Sequence, residues 1–176
     1  METATIQTPP GPFTTVTDDG RVLASGWATD AGALLDQIGR ARLPLVAAAL
    51  EDGKVEVRDD LGPITQAVRN YLDGDLSAID SVPVAAESAG PFRARAWQQL
   101  RAIKPGAPET YSQLAARSGN PRAIRAAGSA CARNPAALFI PCHRVLRTGG
   151  ALGGFLYGLD VKRWLLDHEA ARVAVA

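Results

Sequence analysis

The sequence predicts an α/β N-terminal domain, residues 1–86, followed by a mostly α-helical C-terminal domain, residues 87–176, that contains a helix-turn-helix. Three observations lead to this division. The charge balance reverses between the halves, from 6 Lys and Arg against 13 Asp and Glu in residues 1–86 to 13 against 5 in residues 87–176. The stretch SVPVAAESAG, residues 81–90, has the small-residue, Pro and Gly content of a linker. Apolar residues alternate as in strands before it and follow a helical spacing after it.

The N-terminal half predicts strands and helices in alternation. Residues 1–12 read as an irregular lead-in, and FTTVTDDGRVLASGW then alternates apolar and polar positions around a turn at 18–20, as in a β-hairpin. A helix is predicted over 31–38, followed by a strand pair in LPLVAAALEDGKVEVRDD that turns about 52–53. PITQAVRNYLDGDL opens with Pro63 and spaces its apolar residues with a helical period.

In the C-terminal half, residues typical of helix caps predict where the helices begin and end. After a first helix in PFRARAWQQLRAI, Thr110 is predicted to cap the next helix and Gly119 to end it in left-handed geometry. Asn120 is predicted to cap a second helix, with Pro121 at the first helical position, where its missing N–H costs nothing. Two short helices joined by Gly-Asn predict the helix-turn-helix.

Three further elements complete the C-terminal half. AALFI, residues 136–140, is predicted to be a short extended segment that leads into PCHRVL. GGALGGFLYG, residues 149–158, is predicted to be a glycine-rich loop. Asp160 is predicted to cap a last helix in VKRWLLDHEAA.

Composition restricts the class of protein. The N-terminus lacks a charged-then-apolar signal pattern and apolar runs such as LPLVAAAL are too short to cross a bilayer, so we expect a cytoplasmic protein without a membrane partner. Two cysteines are too few for the disulfide framework of a secreted protein. With only two histidines beside them, few ligands are present for a zinc site. The basic second half favours a polyanionic partner, above all nucleic acid, although the arginines can also be ordinary surface residues.

The stretch IPCHRVL, residues 140–146, sets Cys142 beside His143. A thiol attacks only as its thiolate, and because a free cysteine has a pKa of about 8.5, a nearby base or cation is needed. His143 is a candidate base, directly or through a water, since adjacent side chains of an extended chain lie on opposite faces. Glu169, at the edge of the apolar stripe of the last helix, can orient the imidazole. A structural thiol and a solvated glutamate are the alternatives.

Small side chains cluster in the second helix of the predicted helix-turn-helix, at Ala123, Ala126, Ala127 and Gly128, with Arg125 among them. Such residues let a helix backbone come close to a surface. Arg122 and Arg125, three positions apart, project from one side of the helix. The pattern predicts a helix that contacts nucleic acid. An Ala-rich core helix with solvated arginines is the alternative.

The run NPRAIRAAGSACARNPAALFIPCHRVLRTGGALGGF, followed by VKRWLLDHE, resembles the signature of the O6-alkylguanine-DNA alkyltransferases, also called methylated-DNA–protein-cysteine methyltransferases. The resemblance runs from about Phe92 to Glu169. It implies a ribonuclease H-like α/β N-terminal domain and a C-terminal domain whose helix-turn-helix is winged-helix-like. It also implies a DNA repair protein that turns an O6-alkylated guanine out of the duplex and moves the alkyl group irreversibly to its own cysteine, once per molecule.

The resemblance assigns roles by position. Cys142 is the alkyl acceptor, His143 takes its proton through a water, Glu169 holds His143, and Asn134 orders the loop near the cysteine. No cofactor is implied. Members of the family that carry zinc in the N-terminal half use Cys and His ligands, and residues 1–86 contain neither, so no metal is expected.

The family's recognition helix lies in the minor groove of double-stranded DNA, which accounts for small side chains on a damage scanner. By the same matching, Arg125 is the finger that enters the stack where the guanine left, and Tyr111 pushes on the phosphate behind the target nucleotide. The implied DNA contacts are Tyr111, Arg125, Ala123, Ala126, Ala127 and Gly128. We expect a monomer, with clustering along DNA left open.

The implied substrate pocket contains Val145, Phe155, Leu156 and Tyr157, and here the sequence departs from the family pattern. The family commonly has a tyrosine, whose hydroxyl donates to the guanine oxygen, where this chain has Phe155. Assistance to the leaving group must then come from a backbone N–H such as that of Leu156, or from water. Tyr157 stands where other members have glycine or tryptophan. We therefore predict slower methyl transfer than in typical members and poor acceptance of bulky groups.

Three other functions compete with alkyl transfer. A non-catalytic lesion binder of the alkyltransferase-like kind keeps the fold without the cysteine, and Cys142 argues against it. A helix-turn-helix regulator with an inert thiol predicts sequence-specific affinity and half-sites. A thiol hydrolase with a Cys/His/Glu triad predicts repeated turnover and gives no reason for the helix-turn-helix.

Overall fold

A mixed four-stranded sheet fills the first half of the chain in the computed structural model, which describes residues 1–85 and 90–174. Its strands are β1 (Glu2–Thr8), β2 (Gly11–Asp18), β3 (Arg21–Trp27) and β4 (Glu56–Val57). They stand in the order β3-β2-β1-β4, with antiparallel pairing among the first three strands and parallel pairing between β1 and β4. The chain divides into two units, Met1–Ala86 and Glu87–Ala176.

The predicted hairpin is confirmed, whereas the irregular lead-in is wrong. β2 and β3 pair around the turn at 18–20. The first residues form β1 because their β-branched threonines and Ile6 suit a pleated strand, and β1 pairs along its length with β2, from Glu2 opposite Thr17 to Thr8 opposite Gly11. Pro9 and Pro10 lie in the turn between the two strands, and Pro12 is the second residue of β2.

Three helices accompany the sheet. They are α1 (Ala31–Ile38), α2 (Pro44–Glu51) and α3 (Pro63–Asp73), with a short 3-10 helix at Arg40–Arg42. α1 and α3 match the predictions, but the strand pair about 52–53 is wrong, since its first member is α2. Pro44 occupies the first turn, and the Leu and Ala residues that follow favour a helix, so only Glu56–Val57 remains as strand.

The core of this unit lies on the sheet. The middle residues of β2, from Phe13 to Thr17, are all buried, as expected of a central strand covered on both faces. α1 packs against β2 and β3, and α3 against β1. Phe13 and Trp27, directly opposite each other across the β2–β3 pair, meet edge to face with ring centroids 4.9 Å apart.

The second unit is mostly helical. Its elements in chain order are α4 (Pro91–Arg101), β5 (Glu109–Thr110), α5 (Tyr111–Arg117), α6 (Ile124–Ala132), a 3-10 helix (Cys142–Arg144), β6 (Val145–Leu146) and α7 (Leu159–Val173). α4, α5 and α6 pack on one another, and β5 pairs with β6 in parallel. The α/β character of the first half and the helical character of the second are therefore confirmed.

The predicted helix-turn-helix corresponds to α5 and α6, with a correction at the start of α6. Thr110 caps α5 in a capping box with Gln113, and Gly119 follows the helix at a φ of 92°. α6, however, begins at Ile124 rather than at Pro121. The Asn120 side chain accepts the Arg122 N–H and its carbonyl accepts the Ala123 N–H, so these residues form a separate turn ahead of the helix.

Two other boundaries differ from the predictions. Residues 136–140 form a tight turn instead of an extended segment, with the Ile140 N–H donating to the Ala136 carbonyl. The N-cap of α7 is Gly158, and Asp160 lies within the first turn, where its charge suits the helix dipole. Residues 86–89 of the predicted linker, 81–90, lie outside the described residues. No helix in the described ranges is long and apolar enough to span a membrane.

Candidate functional site

Asn134 holds the turn that precedes the reactive-cysteine motif. The chain leaves α6 at Ala132, and the Asn134 side chain then bonds both ends of the turn at 136–140. Its Nδ2 donates to the Ile140 carbonyl at 2.7 Å, and its Oδ1 accepts the Ala136 N–H at 3.0 Å. Inside the turn, Leu138 has a φ of 75°, a conformation that a leucine keeps only when its surroundings impose it. Asn134 thereby fixes the path of the chain into the motif.

Cys142 opens the short 3-10 helix and is 7% exposed. Its Sγ accepts a hydrogen bond from the same Asn134 Nδ2, at 3.1 Å. Burial raises the pKa of the Cys142 thiol, while the Asn134 hydrogen bond and the charge of Lys162 act in the opposite direction. The group is therefore a neutral thiol at rest, and reaction requires that a base remove its proton.

His143 lies fully buried against Glu169 of α7, with Nε2 2.8 Å from Oε1. An ionised carboxylate only accepts hydrogen bonds, so Nε2 carries the proton in this pair. Burial lowers the pKa of His143, although the Glu169 charge works against this, and the ring is neutral at pH 7. Its Nδ1 is buried and has no hydrogen-bond partner within residues 1–85 and 90–174. The ring thus keeps a basic lone pair on Nδ1.

Arg144, which the sequence does not single out, completes this buried cluster. Its Nε lies 3.1 Å from both carboxylate oxygens of Glu169, one terminal nitrogen lies 2.9 Å from Oε1, and the other donates to the Ile103 carbonyl at 2.7 Å. Burial alone would raise the pKa of Glu169, but His143 and Arg144 lower that pKa to about 2. Glu169 is therefore ionised and fixed.

Lys162 is a second buried charged residue near Cys142 that the sequence analysis did not single out. It is fully buried on α7, and its Nζ donates to the Val145 carbonyl at 2.7 Å. Burial lowers the pKa of Lys162, while ionisation of Cys142 or Cys131 would favour its charged form. The spacing of Lys162, Leu165 and Glu169 in the sequence places them on one face of a helix. This spacing is the signal that could have identified Lys162 as buried.

A cavity of about 350 Å³ opens beside Cys142. The residues that line it come from α5, α6, the turn and the glycine-rich loop: Tyr111, Gly128, Cys131, Ala132, Asn134, Ala137, Cys142, Gly154, Phe155, Leu156 and Tyr157. Of the four residues expected in the pocket, Phe155, Leu156 and Tyr157 line it. Val145 does not, because it is fully buried in β6, where its carbonyl binds Lys162.

Tyr111, the first residue of α5, borders the cavity next to the glycine-rich loop. A Cβ built on Gly153 would stand 3.0 Å from the Tyr111 hydroxyl oxygen, so glycine at 153 leaves room for the phenol. Burial and the thiolate charges of Cys131 and Cys142 raise the pKa of Tyr111 to about 12. Its hydroxyl therefore keeps its proton at neutral pH and can donate to an anion.

α6 divides the predicted DNA contacts between two faces. Arg125 and Ala126 are exposed, and Ala123 is half-buried at the N-cap. Ala127 is fully buried, which excludes its side chain from direct contact with DNA. Gly128, half-buried, lines the cavity of Cys142. One short helix thus presents an exposed arginine and a wall of the reactive pocket.

In the part of the chain that the structure describes, no group of three or more His, Cys, Asp or Glu side chains is arranged to hold a metal ion. Cys131 and Cys142 are both free thiols. The chemistry available at the site is that of the thiol, the imidazole–carboxylate pair and the tyrosines that line the cavity.

The second unit matches a known family. Residues 91–171 match the family model described as the 6-O-methylguanine DNA methyltransferase, DNA binding domain. The methylated-DNA–protein-cysteine methyltransferase of Salmonella typhimurium is 42% identical over 108 residues, which cover 61% of this chain and 63% of that protein. The protein of the same description from Methanosarcina acetivorans is 38% identical over 120 residues, covering 68% of this chain and 76% of that one.

The fold also matches solved structures. The crystal structure of Mycobacterium tuberculosis OGT in complex with DNA superposes with a TM-score of 0.77 at 25% identity, covering 98% of this chain and 94% of that one. In sequence, the chain spans 63% of the length of the Salmonella typhimurium and Salmonella typhi relatives it matches.

Proposed function

Because this chain belongs to the family of the methylated-DNA–protein-cysteine methyltransferases, we propose that it repairs O6-alkylated guanine in duplex DNA by moving the alkyl group to its own Cys142. One observation carries the proposal. The thiol stands at the wall of a cavity, hydrogen-bonded by Asn134, and its neighbour His143 is tied to a buried carboxylate. The protein is accordingly a methylated-DNA–protein-cysteine S-methyltransferase that its own reaction consumes.

Activation starts from the neutral Cys142 thiol. Because Glu169 engages Nε2 of His143, the lone pair on Nδ1 is the basic site of the ring. A water between Sγ and Nδ1 takes the thiol proton and passes one to His143. The carboxylate of Glu169 stabilises the imidazolium that forms and keeps the ring oriented. Asn134 donates to the sulfur and stabilises the thiolate.

The thiolate then attacks the alkyl carbon in line with its bond to guanine O6. The S–C bond forms as the C–O bond breaks, the electron pair of the C–O bond passes to the guanine, and the guanine regains a proton from the imidazolium through water. The net change exchanges the thiol hydrogen for the alkyl group. A thioether is stable, and none of the described residues around the cavity offers a route to hydrolyse it, so each molecule reacts once.

DNA binding is assigned to α6 and to the start of α5. Arg125 is exposed and Ala126 beside it leaves room for close approach, which suits a helix in the minor groove of double-stranded DNA. Arg125 fills the stack when the damaged base flips out, and Tyr111 borders the cavity that receives the base. The 13 Lys and Arg against 5 Asp and Glu of residues 87–176 favour the phosphate backbone.

The proposal extends to the fold of each unit, the oligomeric state and the cellular compartment. We assign the first unit to a ribonuclease H-like fold, supported by the order β3-β2-β1-β4 with β4 parallel to β1. We assign the helix-turn-helix of the second unit to a winged-helix-like fold, supported by the β5–β6 pair. The protein acts as a monomer on DNA. Its two free thiols suit a reducing compartment, the cytoplasm.

Intact mass spectrometry tests this function. The protein is incubated with a duplex that contains one O6-methylguanine, and we expect its mass to rise by one methyl group in exchange for one hydrogen, mapped to Cys142 by peptide fragmentation. Cys142→Ala gains nothing, whereas Cys131→Ala still gains the methyl group. A methyl group found on another residue, or no mass change, overturns the proposal.

The same experiment separates the competing functions. A lesion binder retains the damaged duplex without any change of mass. A sequence-specific regulator prefers one undamaged sequence and ignores the lesion. A thiol hydrolase cleaves an ester or amide repeatedly and returns to its original mass.

A further inference from the structure

The exposed tip of α6, formed by Arg122, Ile124, Arg125 and Ala126, combines positive charge with one large apolar side chain. Apart from Ile124 and Arg125, the sequence of α6 consists of residues no larger than cysteine. Ile124 is 46% exposed, although isoleucine is among the residue types most often buried. Residues 110–159 contain no Asp or Glu, so the charge around this apolar side chain suits a polyanionic partner.

The tip of α6 is anchored on both sides. Ahead of Ile124, Asn120 closes a turn by accepting two backbone N–H groups, one on its side chain and one on its carbonyl. Behind it, α6 packs against α4 and α5, and Trp97 of α4 donates from Nε1 to the Ala130 carbonyl at 3.0 Å. A β-branched side chain in a helix keeps largely one rotamer, so Ile124 is itself stiff. Such a group can press against a partner without first being ordered.

We propose that Ile124 is an apolar wedge that opens the base step beside the damaged nucleotide, a role that rests on the alkyl-transfer function and on the stack-filling role of Arg125 proposed above. Consecutive Cα atoms are about 3.8 Å apart, close to the rise of about 3.4 Å from one base to the next. With Arg125 in the stack, Ile124 lies within one base step of the gap. Its side chain neither donates nor accepts hydrogen bonds, so its gain in the minor groove is apolar contact with the parted base pairs.

Opening this step lowers the cost of turning the base out. A stacked guanine leaves the duplex only after its contacts with both neighbours are broken, and an inserted apolar side chain breaks one of them in advance. The two residues then have different tasks. Ile124 separates the target base from its neighbour, whereas Arg125 fills the space that the base leaves. Ile124 is a positioning residue, since an alkyl side chain takes no part in proton or alkyl transfer.

The fluorescence of 2-aminopurine tests the wedge directly, because this adenine analogue brightens when it unstacks. Duplexes carry it on the 5′ or on the 3′ side of O6-methylguanine and are saturated with the full chain bearing Cys142→Ala, so that the methyl group stays on the guanine. We expect at least one of the two positions to brighten and the added change Ile124→Ala to abolish most of the rise. Ile124→Leu should restore it, since leucine is an equally large apolar side chain.

Single-turnover methyl transfer with Cys142 intact gives the second readout. When the lesion lies in a stiff A-tract, we expect Ile124→Ala to react about 10-fold more slowly, the cost of losing most of the apolar contact of one isoleucine. When it lies beside a flexible TA or CA step, which opens more easily, the slowing should be clearly smaller. On the same oligonucleotide as a single strand, which has no step to open, it should be absent.

Leu45→Ala is the matched control, since it shortens an equally large aliphatic side chain, 72% exposed on α2 of the first unit, and should change neither readout. Alanine favours a helix more than isoleucine does, so Ile124→Ala should keep α6 folded. A full fluorescence rise in the Ile124→Ala protein overturns the wedge, and so does equal slowing on paired and single-stranded substrates. Failure of the proposed function is distinguishable, because the unmodified chain would then gain no methyl group at all.

Discussion

At the scale of single residues, the buried Glu169 is shared between two partners with different tasks. His143 takes one hydrogen bond and keeps its Nδ1 available as a base, while Arg144 contacts both oxygens and holds the carboxylate ionised. Burying a carboxylate beside a neutral imidazole alone would favour its protonation. Arg144 opposes this protonation, so the basicity of His143 depends on a guanidinium that holds Glu169 ionised.

Arg144→Lys tests this dependence. Lysine keeps the charge but loses the planar fork, and it cannot reach both Glu169 and the Ile103 carbonyl with the same geometry. We expect the free energy of unfolding at pH 7 to fall by about 3 kcal/mol, the low end for broken buried ion pairs. Urea denaturation measures it. The exposed pair of Arg163 with Asp160 provides the control, since Arg163→Lys should change stability by less than about 0.5 kcal/mol.

The pH dependence of the same variant gives a second readout. The pKa of Glu169 is lowered from 4.5 to about 2, so the stability it contributes is fully present above pH 4.5 and is lost as the pH falls towards 2. Arg144→Lys raises this pKa, and less of that stability remains to be lost. The unfolding free energies of the two proteins should therefore converge between pH 4.5 and 2. A constant difference across this window would show that Arg144 acts only through packing.

At the scale of elements, the proposed function makes α6 the link between DNA binding and the reactive pocket. Its exposed side has Arg125, and its other side contributes Gly128 and Cys131 to the cavity of Cys142. Under the proposed function, the helix that enters the groove also forms a wall of the pocket that receives the flipped base.

Arg125→Ala should slow transfer from a duplex on the order of 10-fold or more, because nothing then replaces the extruded guanine in the stack. On the same oligonucleotide in single-stranded form, which has no stack to fill, the rate should be nearly unchanged. Quenched-flow kinetics on both substrates measures the ratio. Arg163→Ala, an exposed arginine of α7, should alter neither rate. Equal slowing on both strand forms would contradict the role of Arg125 as a stack-filling finger.

Elements determined by local contacts could be predicted, and those held by distant contacts could not. The Thr110 cap of α5 and the β2–β3 hairpin depend on neighbouring residues, and both were predicted, although the part of Gln113 in the cap was not. The turn at 136–140 depends on the Asn134 side chain and on a left-handed Leu138, which no local propensity favours. α6 starts late because Asn120 closes its own turn first.

In the candidate site, too, residues with a local sequence signal were predicted and those explained by distant contacts were missed. The motif around Cys142, together with Glu169 at the edge of an apolar stripe, led to the pair that the structure brings into contact. Arg144 was missed because an arginine is ordinarily a surface residue, and only its partner on α7 explains why it is buried. Lys162 was missed for the same reason, since its acceptor is a backbone carbonyl of β6.

At the scale of the whole molecule, the charges are divided between the two units. Residues 1–86 carry 6 Lys and Arg against 13 Asp and Glu, and residues 87–176 carry 13 against 5. A net charge of +1 over the full chain conceals this division. Under the proposed function, DNA phosphates repel the acidic first unit, and we expect the sign of the field to favour approach of the second unit to the duplex.

Salt dependence of DNA binding by the intact chain tests this arrangement. Each phosphate neutralised by the protein adds about −0.9 to the slope of log affinity against log salt concentration. Arg122 is exposed in the turn before α6, so Arg122→Ala should weaken binding to any sequence and make the slope shallower by about 1. Arg21→Ala removes an equal charge from the exposed start of β3 in the acidic unit and should leave the slope unchanged. Fluorescence anisotropy over a salt series measures both, and equal changes of slope would mean that the first unit also binds the phosphate backbone.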